Sequence, residues 1–500
     1  MKKSKFKIIT GISYFILILF VFNFLSINSY SQIKTFTTLN LNENEKVVDI
    51  YTDSLQTNYA VVISIVTEGM VSSVTEYYIL TMQGKLGPFE FVKEVAFFDK
   101  GKQLLISVKK NGSYYIYKNN IETGPYENVG RFNVIYSTTN YAYWVKEADK
   151  YYVVYMDKKL GPYGEISSFA VSQKTNKIAW RVKTDKFDLF VNGTSVIKSE
   201  LVVICGFYSD KEILSYIYGS SGSYYMVVGS TSYGPYENIG LDLAVKDENL
   251  AIFFAKISGS WYLIAGKEKA GPFDSTGFVA LSPDGKKIAY AAYKESTGWG
   301  IYLGAKLIKY VDKPYFSYLD FIKVDSTNYD IIYLVGDYLD ETYNWGVYIG
   351  NNDDPLFEYQ SDSDSPYIGS LNINYYGVDF KINSEGSLGF LIYQDGSYNI
   401  GIYSMSNNTF GIFGPGDDYD TTYILDIANN IIFFVSNGDF FVGVPSDTGV
   451  SINPGYLTCG RIVYDFNGKA IGVVYFDSKN NAICFTSLEN VVDAISSIFI

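Results

Sequence analysis

Histidine is absent from this chain of 500 residues, and cysteine occurs only three times. Ser-His-Asp and Cys-His nucleophile systems need an imidazole that titrates near neutral pH, so both are excluded. Catalytic zinc sites also lose their commonest ligand. Cys205, Cys459 and Cys484 lie in short apolar runs, where cysteine usually acts as a small buried hydrophobe. The alternative is that Cys459 pairs with Cys484 in an oxidising compartment.

Positive charge is also in short supply. The chain has 40 Lys and Arg against 53 Asp and Glu, a net charge of −13. Because nucleic acids are bound through basic patches, and no long basic run occurs outside the extreme N-terminus, no nucleic-acid partner is expected. Hydrophobic residues make up 47% of the chain, which excludes general disorder. A chain of this length predicts two domains or one repeat array.

The N-terminus has the pattern of a signal peptide, predicted over residues 1–31. Four lysines within the first seven residues precede an apolar stretch from Ile8 to about Ile27. Ser29 and Ser31 supply the small residues of a cleavage site before Gln32. The alternative is an uncleaved membrane anchor, since about 20 apolar residues can span a bilayer. Both place the chain outside the cytoplasm, and the Lys-, Asn-, Ile- and Tyr-rich composition is typical of an AT-rich bacterial genome. The expected location is therefore periplasmic, surface-associated or secreted.

A repeat of about 37 residues runs through the chain. Gly-Pro-aromatic elements begin at Gly87, Gly124, Gly161, Gly234 and Gly271, at steps of 37, 37, 73 and 37 residues. Between them lie three short runs of aromatic and β-branched residues bounded by turn residues, which predict three antiparallel strands. Proline cannot donate to a sheet ladder, so the Gly-Pro-aromatic element is predicted to be a fourth, edge strand.

The third run can be followed through eleven units, with looser spacing after Tyr302. Four antiparallel strands per unit, with proline on the outer edge, predict an all-β fold of propeller blades. Most of the 48 tyrosines would then fill the space between neighbouring blades. The third runs are Tyr77-Tyr78, Tyr114-Tyr115, Tyr151-Tyr152, Asp188-Leu189-Phe190, Tyr224-Tyr225, Trp261-Tyr262, Gly300-Ile301-Tyr302, Trp345-Gly346-Val347, Gly401-Ile402-Tyr403, Phe440-Phe441-Val442 and Ile483-Cys484-Phe485.

One copy carries a familiar turn. The segment from Phe278 to Tyr290, with Ser282-Pro283-Asp284-Gly285 at its centre, resembles the WD40-like repeats of Tol-type periplasmic propellers. The segment from Ser172 to Trp180 keeps its outline. The resemblance covers residues 50–313 well and 314–500 poorly. It implies a β-propeller and an extracytoplasmic scaffold, and it carries no activity because such repeats serve many roles.

Eleven units exceed the four to eight blades of usual propellers, so two tandem propellers are predicted in preference to one. The first would span residues 32–270 and the second, less regular one residues 271–500. Helix is expected only in the signal segment and in a short segment after Ser487.

Acidic loops in the second half are the candidate sites. They comprise residues 351–355, 362–364 and 417–420. Their oxygen ligands could hold Ca²⁺, but solvated turn chemistry is the favoured explanation, since Asp, Asn, Ser and Gly dominate tight turns. No other cofactor or metal is indicated. Ligand contacts are predicted on the longest insertions, because repeat scaffolds display variable loops on one face. The predicted residues are Asp353, Asp354, Asp362, Asp364, Tyr367, Tyr375 and Tyr376. The alternative, slightly favoured, is that these loops only cover the edge of a ring.

Two functions fit the sequence. The favoured one is a non-catalytic scaffold that binds a protein or polysaccharide of the bacterial envelope, with membrane contact only through an uncleaved N-terminal segment. The alternative is a carbohydrate-active or lyase-type propeller enzyme that uses carboxylates and tyrosine. No catalytic motif is present, which favours binding. Two carboxylates and an Arg or Tyr converging from different blades would favour the enzyme.

Overall fold

The computed structural model describes residues 34–68, 73–209, 211–311, 313, 315–323, 328–339, 342–361, 380–382, 387–394, 397–404, 409–416, 423–428, 431–436, 439–444, 452–457, 460–464, 469–477 and 480–488. These ranges consist of β-strands and their connections. The predicted all-β fold is therefore confirmed. None of these residues belongs to a helix with the length and apolarity needed to cross a membrane. The predicted signal peptide and C-terminal helix lie outside the described residues.

The first nine strands are β1 and the strands of the first two sheets. Strand β1 is Lys34–Thr38, and it is followed by sheets 1 and 2. Sheet 1 comprises β2 (Glu45–Thr52), β3 (Tyr59–Glu68), β4 (Ser73–Thr81) and β5 (Gly84–Phe89). Sheet 2 comprises β6 (Phe91–Phe98), β7 (Gln103–Lys110), β8 (Ser113–Lys118) and β9 (Ile121–Tyr126).

Sheets 3 to 6 repeat the arrangement, except that the first strand of sheet 3 is split in two. Sheet 3 comprises β10 (Asn128–Val129), β11 (Asn133–Val134), β12 (Tyr141–Glu147), β13 (Lys150–Tyr155) and β14 (Lys158–Tyr163). Sheet 4 comprises β15 (Glu165–Ser172), β16 (Lys177–Lys183), β17 (Phe187–Val191) and β18 (Thr194–Ser199). Sheet 5 comprises β19 (Leu201–Tyr208), β20 (Ile213–Ser220), β21 (Ser223–Val228) and β22 (Thr231–Tyr236). Sheet 6 comprises β23 (Asn238–Asp247), β24 (Leu250–Ile257), β25 (Ser260–Ala265) and β26 (Glu268–Phe273).

The second half continues the series through sheets 7 to 11. Sheet 7 comprises β27 (Ser275–Leu281), β28 (Ile288–Lys294), β29 (Gly298–Leu303) and β30 (Lys306–Val311), and sheet 8 comprises β31 (Tyr315–Lys323), β32 (Tyr329–Leu339), β33 (Thr342–Ile349) and β34 (Phe357–Ser361). Sheet 9 comprises β35 (Phe380–Ile382), β36 (Ser387–Gln394), β37 (Ser397–Ser404) and β38 (Thr409–Gly416), and sheet 10 comprises β39 (Tyr423–Ala428), β40 (Ile431–Ser436), β41 (Asp439–Val444) and β42 (Ile452–Leu457). Sheet 11 comprises β43 (Gly460–Tyr464), β44 (Ala470–Asp477) and β45 (Ala482–Ser487), and β1 pairs with β45 as its fourth strand.

All eleven predicted third runs lie in the third strand of a sheet. Within each sheet, consecutive strands pair antiparallel, and in sheet 3 both halves of the split first strand pair with β12. These repeated sheets fit a propeller-like repeat fold. The Ser-Pro-Asp-Gly turn joins β27 to β28 as expected: Gly285 has a φ of +67°, and the Ser282 hydroxyl donates to Asp284 at 2.7 Å. The turn chemistry that the sequence predicted is therefore confirmed.

The Gly-Pro-aromatic elements form the fourth, edge strands, as predicted. Gly124 shows why glycine is needed there, because its φ is +133° and a Cβ would lie 2.9 Å from the backbone oxygen of Tyr114. The acidic residue after the aromatic one links the element to the next sheet. Glu127, for example, accepts a hydrogen bond at 3.2 Å from the backbone N–H of Asp149, in the turn between the second and third strands of sheet 3. Three other copies repeat this bond: Glu90 to Gly112, Glu237 to Gly259 and Asp274 to Glu295.

Aromatic and aliphatic side chains fill the spaces between neighbouring sheets. Trp180 on β16 is fully buried and stacks on Phe190, with the ring centroids 5.8 Å apart. Packing is continuous across residue 270. The ring of Phe273 in sheet 6 packs against the ring of Tyr290 in sheet 7, with the ring centroids 6.1 Å apart. The division into two propellers at that point therefore stays a prediction.

The first strands of neighbouring sheets contact each other, from β2 and β6 through β23, β27 and β31. The first strand of sheet 1 also contacts the first strand of sheet 11. Ile50 and Val61 of sheet 1 share one buried cluster with Val463 and Ile483 of sheet 11. The two ends of the described chain therefore meet, and their junction creates the site described next.

Candidate functional site

An open cleft of about 220 Å³ lies where the first strands of sheets 11, 1 and 2 come together with sheet 3. We call it the seam cleft. Its walls are residues 51–54 at the end of β2, Val95 and Phe97 of β6, Tyr136 after β11, residues 461–464 of β43, and Val474. The cleft thus draws on four sheets and on both ends of the chain.

Arg461 joins the first sheet to the last. Its Nη2 atom donates to Asp49 Oδ2 at 2.6 Å, and its Nε atom lies 3.3 Å from Asp49 Oδ1. The guanidinium group also lies over the ring of Tyr51, 4.0 Å from the ring centroid. A planar guanidinium can make these in-plane and face contacts together, which the ammonium group of lysine cannot. Both charged side chains are about one-third exposed, and Arg461 lines the cleft.

Glu94 lies next to this pair and is buried, with 9% of its surface exposed. Its Oε2 atom accepts a hydrogen bond at 2.8 Å from the backbone N–H of Phe132. Burial raises the pKa of Glu94 to about 7, although that hydrogen bond and the charges of Arg131, Lys93 and Arg461 act in the opposite direction. The carboxyl group is therefore close to half protonated at neutral pH.

Lys93 connects sheets 2 and 3 on the same side of the cleft. Its Nζ atom donates to the backbone oxygen of Val129 at 2.5 Å and to Asn128 Oδ1 at 3.2 Å. Burial lowers the pKa of Lys93, while the nearby Glu94 raises it. The local charge around the cleft is therefore mixed, unlike the net negative charge of the chain.

Asp53, at the end of β2, belongs to a wall of the cleft and is held in place by hydrogen bonds. Only 1% of its surface is exposed, and its carboxylate accepts backbone N–H groups of Thr57 at 2.6 Å and Asn58 at 3.1 Å. The turn also docks on sheet 2, because the Asn58 side chain donates to the backbone oxygen of Gly101 at 3.1 Å. This wall is set by hydrogen bonds within the protein and does not depend on a ligand.

The sequence predicted ligand contacts at a different place, on the insertions of the second half of the chain. Asp353 and Asp354 are exposed and line a cleft of about 410 Å³ beside β33 and β34, where Lys309 lies 3.3 Å from Asp353 Oδ1. Asp362, Asp364, Tyr367, Tyr375 and Tyr376 lie outside the described residues, so the predicted group stays a prediction. So does the pairing of Cys484, because Cys459 is also outside them.

The described residues contain no cluster of three or more acidic or cysteine side chains arranged to hold a metal ion. Of the three loops considered for Ca²⁺, only residues 351–355 are described. Calcium binding at all three loops stays a prediction.

One signal in the sequence could have located the seam cleft. The chain has only three arginines, Arg131, Arg181 and Arg461. Each is on a first strand or contacts one: Arg461 is on a first strand, Arg131 lies between the two halves of one, and Arg181 on β16 donates to the backbone oxygen of Val202 on β19 at 2.6 Å. All three arginines therefore lie at or beside first strands.

No protein-family model matches the chain, and no curated protein does either. Among solved structures, KlHsv2 with loop 6CD replaced by a Gly-Ser linker is 12% identical, with a TM-score of 0.24, covering 53% of this chain and 98% of that one. The uncharacterized protein lmo1340 from Listeria monocytogenes EGD-e is 12% identical, with a TM-score of 0.29, covering 72% and 94%. The dihydro-heme d1 dehydrogenase NirN is 10% identical, with a TM-score of 0.26, covering 52% and 65%. Likenesses this weak say nothing about the site or its activity.

Proposed function

We propose that the protein is an exported, non-catalytic binding scaffold of the bacterial envelope, with WD40-like propeller architecture and its ligand site in the seam cleft. The observation that carries this proposal is the convergence of Arg461, Tyr51, Val95 and Tyr136 from four sheets around one open cleft. Ligand sites are typically concave, mostly apolar and fitted with a few placed polar groups. The N-terminal signal pattern and the WD40-like turn support the extracytoplasmic location and the architecture.

The sheets are proposed to form one closed ring. Three observations support a single ring over two: continuous packing across residue 270, the contacts between sheets 1 and 11, and the pairing of β1 with β45. A ring of eleven blades is larger than usual propellers, so its inner strands would surround a wider channel.

A second function has one observation in its favour. Asp49, Glu94 and Arg461 approach each other from sheets 1, 2 and 11, which is the arrangement expected of a carboxylate enzyme. Both carboxylates are engaged, however, since Asp49 is held by Arg461 and Glu94 accepts the N–H of Phe132. Binding therefore accounts for the site better. Lyase activity would appear as unsaturated products from an acidic polysaccharide and would be lost in Glu94→Gln.

Capture from envelope extract tests the proposal. The full chain, solubilised in detergent so that an uncleaved N-terminal segment is tolerated, is compared with Tyr464→Ala and with Tyr310→Ala as a matched control. Tyr464 lines the seam cleft, whereas Tyr310 is a similarly exposed tyrosine on β30 of sheet 7. We expect a partner that the parent and the Tyr310 variant retain and the Tyr464 variant loses. Equal retention by all three would show that the cleft is not the binding site.

A further inference from the structure

We propose that the seam cleft binds a neutral saccharide and accommodates one pyranose ring at a time. This inference rests on the proposed function and names its ligand class. The space of about 220 Å³ suits a single ring rather than a protein surface, because stable protein–protein contacts bury far larger areas on each partner.

The walls combine the two kinds of surface that a sugar presents. Tyr51, Phe97 and Tyr136 supply aromatic surface from three different sheets. A pyranose has C–H faces that pack on aromatic rings and hydroxyl groups that both donate and accept hydrogen bonds. Thr52, Ser54 and Arg461 lie on the same walls and can meet those hydroxyls.

The charges at the cleft are already compensated. Arg461 is paired with Asp49, and the Asp53 carboxylate is satisfied by the turn that follows it. An ionic ligand would bring a charge that has no dedicated partner, and burying an unpaired charge is costly. A neutral ligand meets no such penalty and can still use the polar atoms of the Arg461–Asp49 pair.

The hydroxyl of Tyr136 is a further polar group at the cleft. Tyr136 lines the cleft, and its hydroxyl lies beside the side chain and backbone of Ser54 and the backbone of Leu55. A phenol hydroxyl both donates and accepts hydrogen bonds, so a sugar hydroxyl at this wall can join the contacts between Tyr136 and Ser54.

The larger cleft at residues 349–356 is the weaker candidate for the same ligand. It is lined by one segment of sheet 8, and its polar groups are the Asn352 amide and the exposed carboxylates of Asp353 and Asp354. Aromatic residues do not line it among the described side chains, so the packing surface for a sugar ring is missing.

The test uses the full chain in detergent and isothermal titration calorimetry. The probes are neutral tetrasaccharides (cellotetraose, maltotetraose, mannotetraose and chitotetraose) and a cello-oligouronic acid of equal length, in which a carboxylate replaces each hydroxymethyl group. At least one neutral probe is expected to bind at about millimolar concentration or below, and about tenfold more tightly than the uronate. Tyr464→Ala should weaken that binding about fivefold or more, and Tyr136→Phe, which removes only the hydroxyl, about threefold. Tyr310→Ala should leave it unchanged.

Three results would overturn the inference: no neutral probe bound at about 10 mM, uronate bound as tightly as the neutral probe, or equal binding by all variants. Failure of the inference alone is distinguishable from failure of the proposed function. If no neutral probe binds while Tyr464→Ala still abolishes capture from envelope extract, the ligand belongs to another class and the cleft remains the site. If Tyr464→Ala leaves capture unchanged, the seam cleft itself is rejected.

Discussion

Glu94 should make the stability of the protein fall as pH rises through neutrality. Its pKa is raised from 4.5 to about 7, chiefly by burial. Between these values the folded chain holds a proton that the unfolded chain has released, so the free energy of unfolding decreases by about 1.4 kcal/mol for each pH unit. The contribution is full below about pH 4.5 and is lost by about pH 7, a total of about 3 kcal/mol.

Glu94→Gln isolates this effect, because glutamine imitates the protonated carboxyl and can still accept the N–H of Phe132. Urea unfolding of both proteins at pH 5, 6, 7 and 8 provides the measurement. We expect similar stability at pH 5 and a variant that is about 3 kcal/mol more stable than the parent at pH 8. Comparing the two proteins removes the contributions of the other titrating groups, which both proteins share. A constant difference from pH 5 to 8 would mean that Glu94 is ionised throughout in the folded state, which would refute the reasoning.

Four further predictions concern the sheets and loops. Gly124→Ala should cost about 2–3 kcal/mol, because its Cβ meets a backbone oxygen at a positive φ, whereas Gly112→Ala, with open space around it, should cost about 1 kcal/mol by urea unfolding. Trp180→Ala should cost about 3–5 kcal/mol, and Trp180→Phe less than half as much, since it also removes a buried unpaired N–H. A fragment of residues 34–273, which ends with the complete strand β26, should fail to unfold cooperatively on its own if one ring forms, and a sharp transition would support two. Replacing both Asp353 and Asp354 by asparagine should leave the urea midpoint nearly unchanged, because both side chains are exposed, and should weaken capture of an envelope partner only if the predicted loop site is real.

Local features of the sequence predicted the strands well. Runs such as Tyr151-Tyr152-Val153-Val154-Tyr155 and the turn at Ser282 determine secondary structure within a few residues, and both lie where they were expected. The Gly-Pro-aromatic element was also assigned correctly, because the missing N–H of proline restricts it to an edge. The role of the acidic residue that follows this element was not predicted. The turn whose backbone N–H donates to Glu127 lies in the next sheet, outside the local sequence pattern.

The seam cleft is formed by contacts between residues that are far apart in the sequence, which a short sequence pattern cannot predict. Arg461 and Asp49 are 412 positions apart, and only packing of the last sheet on the first brings them together. Glu94 follows an irregularity in the pairing between β6 and β7, and its burial results from contact with sheet 3. In the sequence it looks like any other glutamate of a half-exposed strand. Burial of a single charged residue is decided by tertiary packing, which explains why this site was missed.

The meeting of the chain ends could nevertheless have been derived by counting strands. With four strands per repeat, the threonine-rich run of residues 34–38 precedes the first unit and is left over. The last unit has only three strands, β43 to β45, of its own among the described residues. The chain thus has one extra strand before the first unit and one strand too few in the last unit. This count predicts that β1 is the fourth strand of sheet 11, and β1 does pair with β45. The chain then passes from β1 into β2, the same step from fourth to first strand that joins the other sheets. The junction between sheets 11 and 1 is therefore covalently bridged like the rest, and the non-covalent closure lies between β1 and β45. Arg461 and the seam cleft consequently lie at a junction that the chain itself secures, where a ligand can bind without holding the fold together.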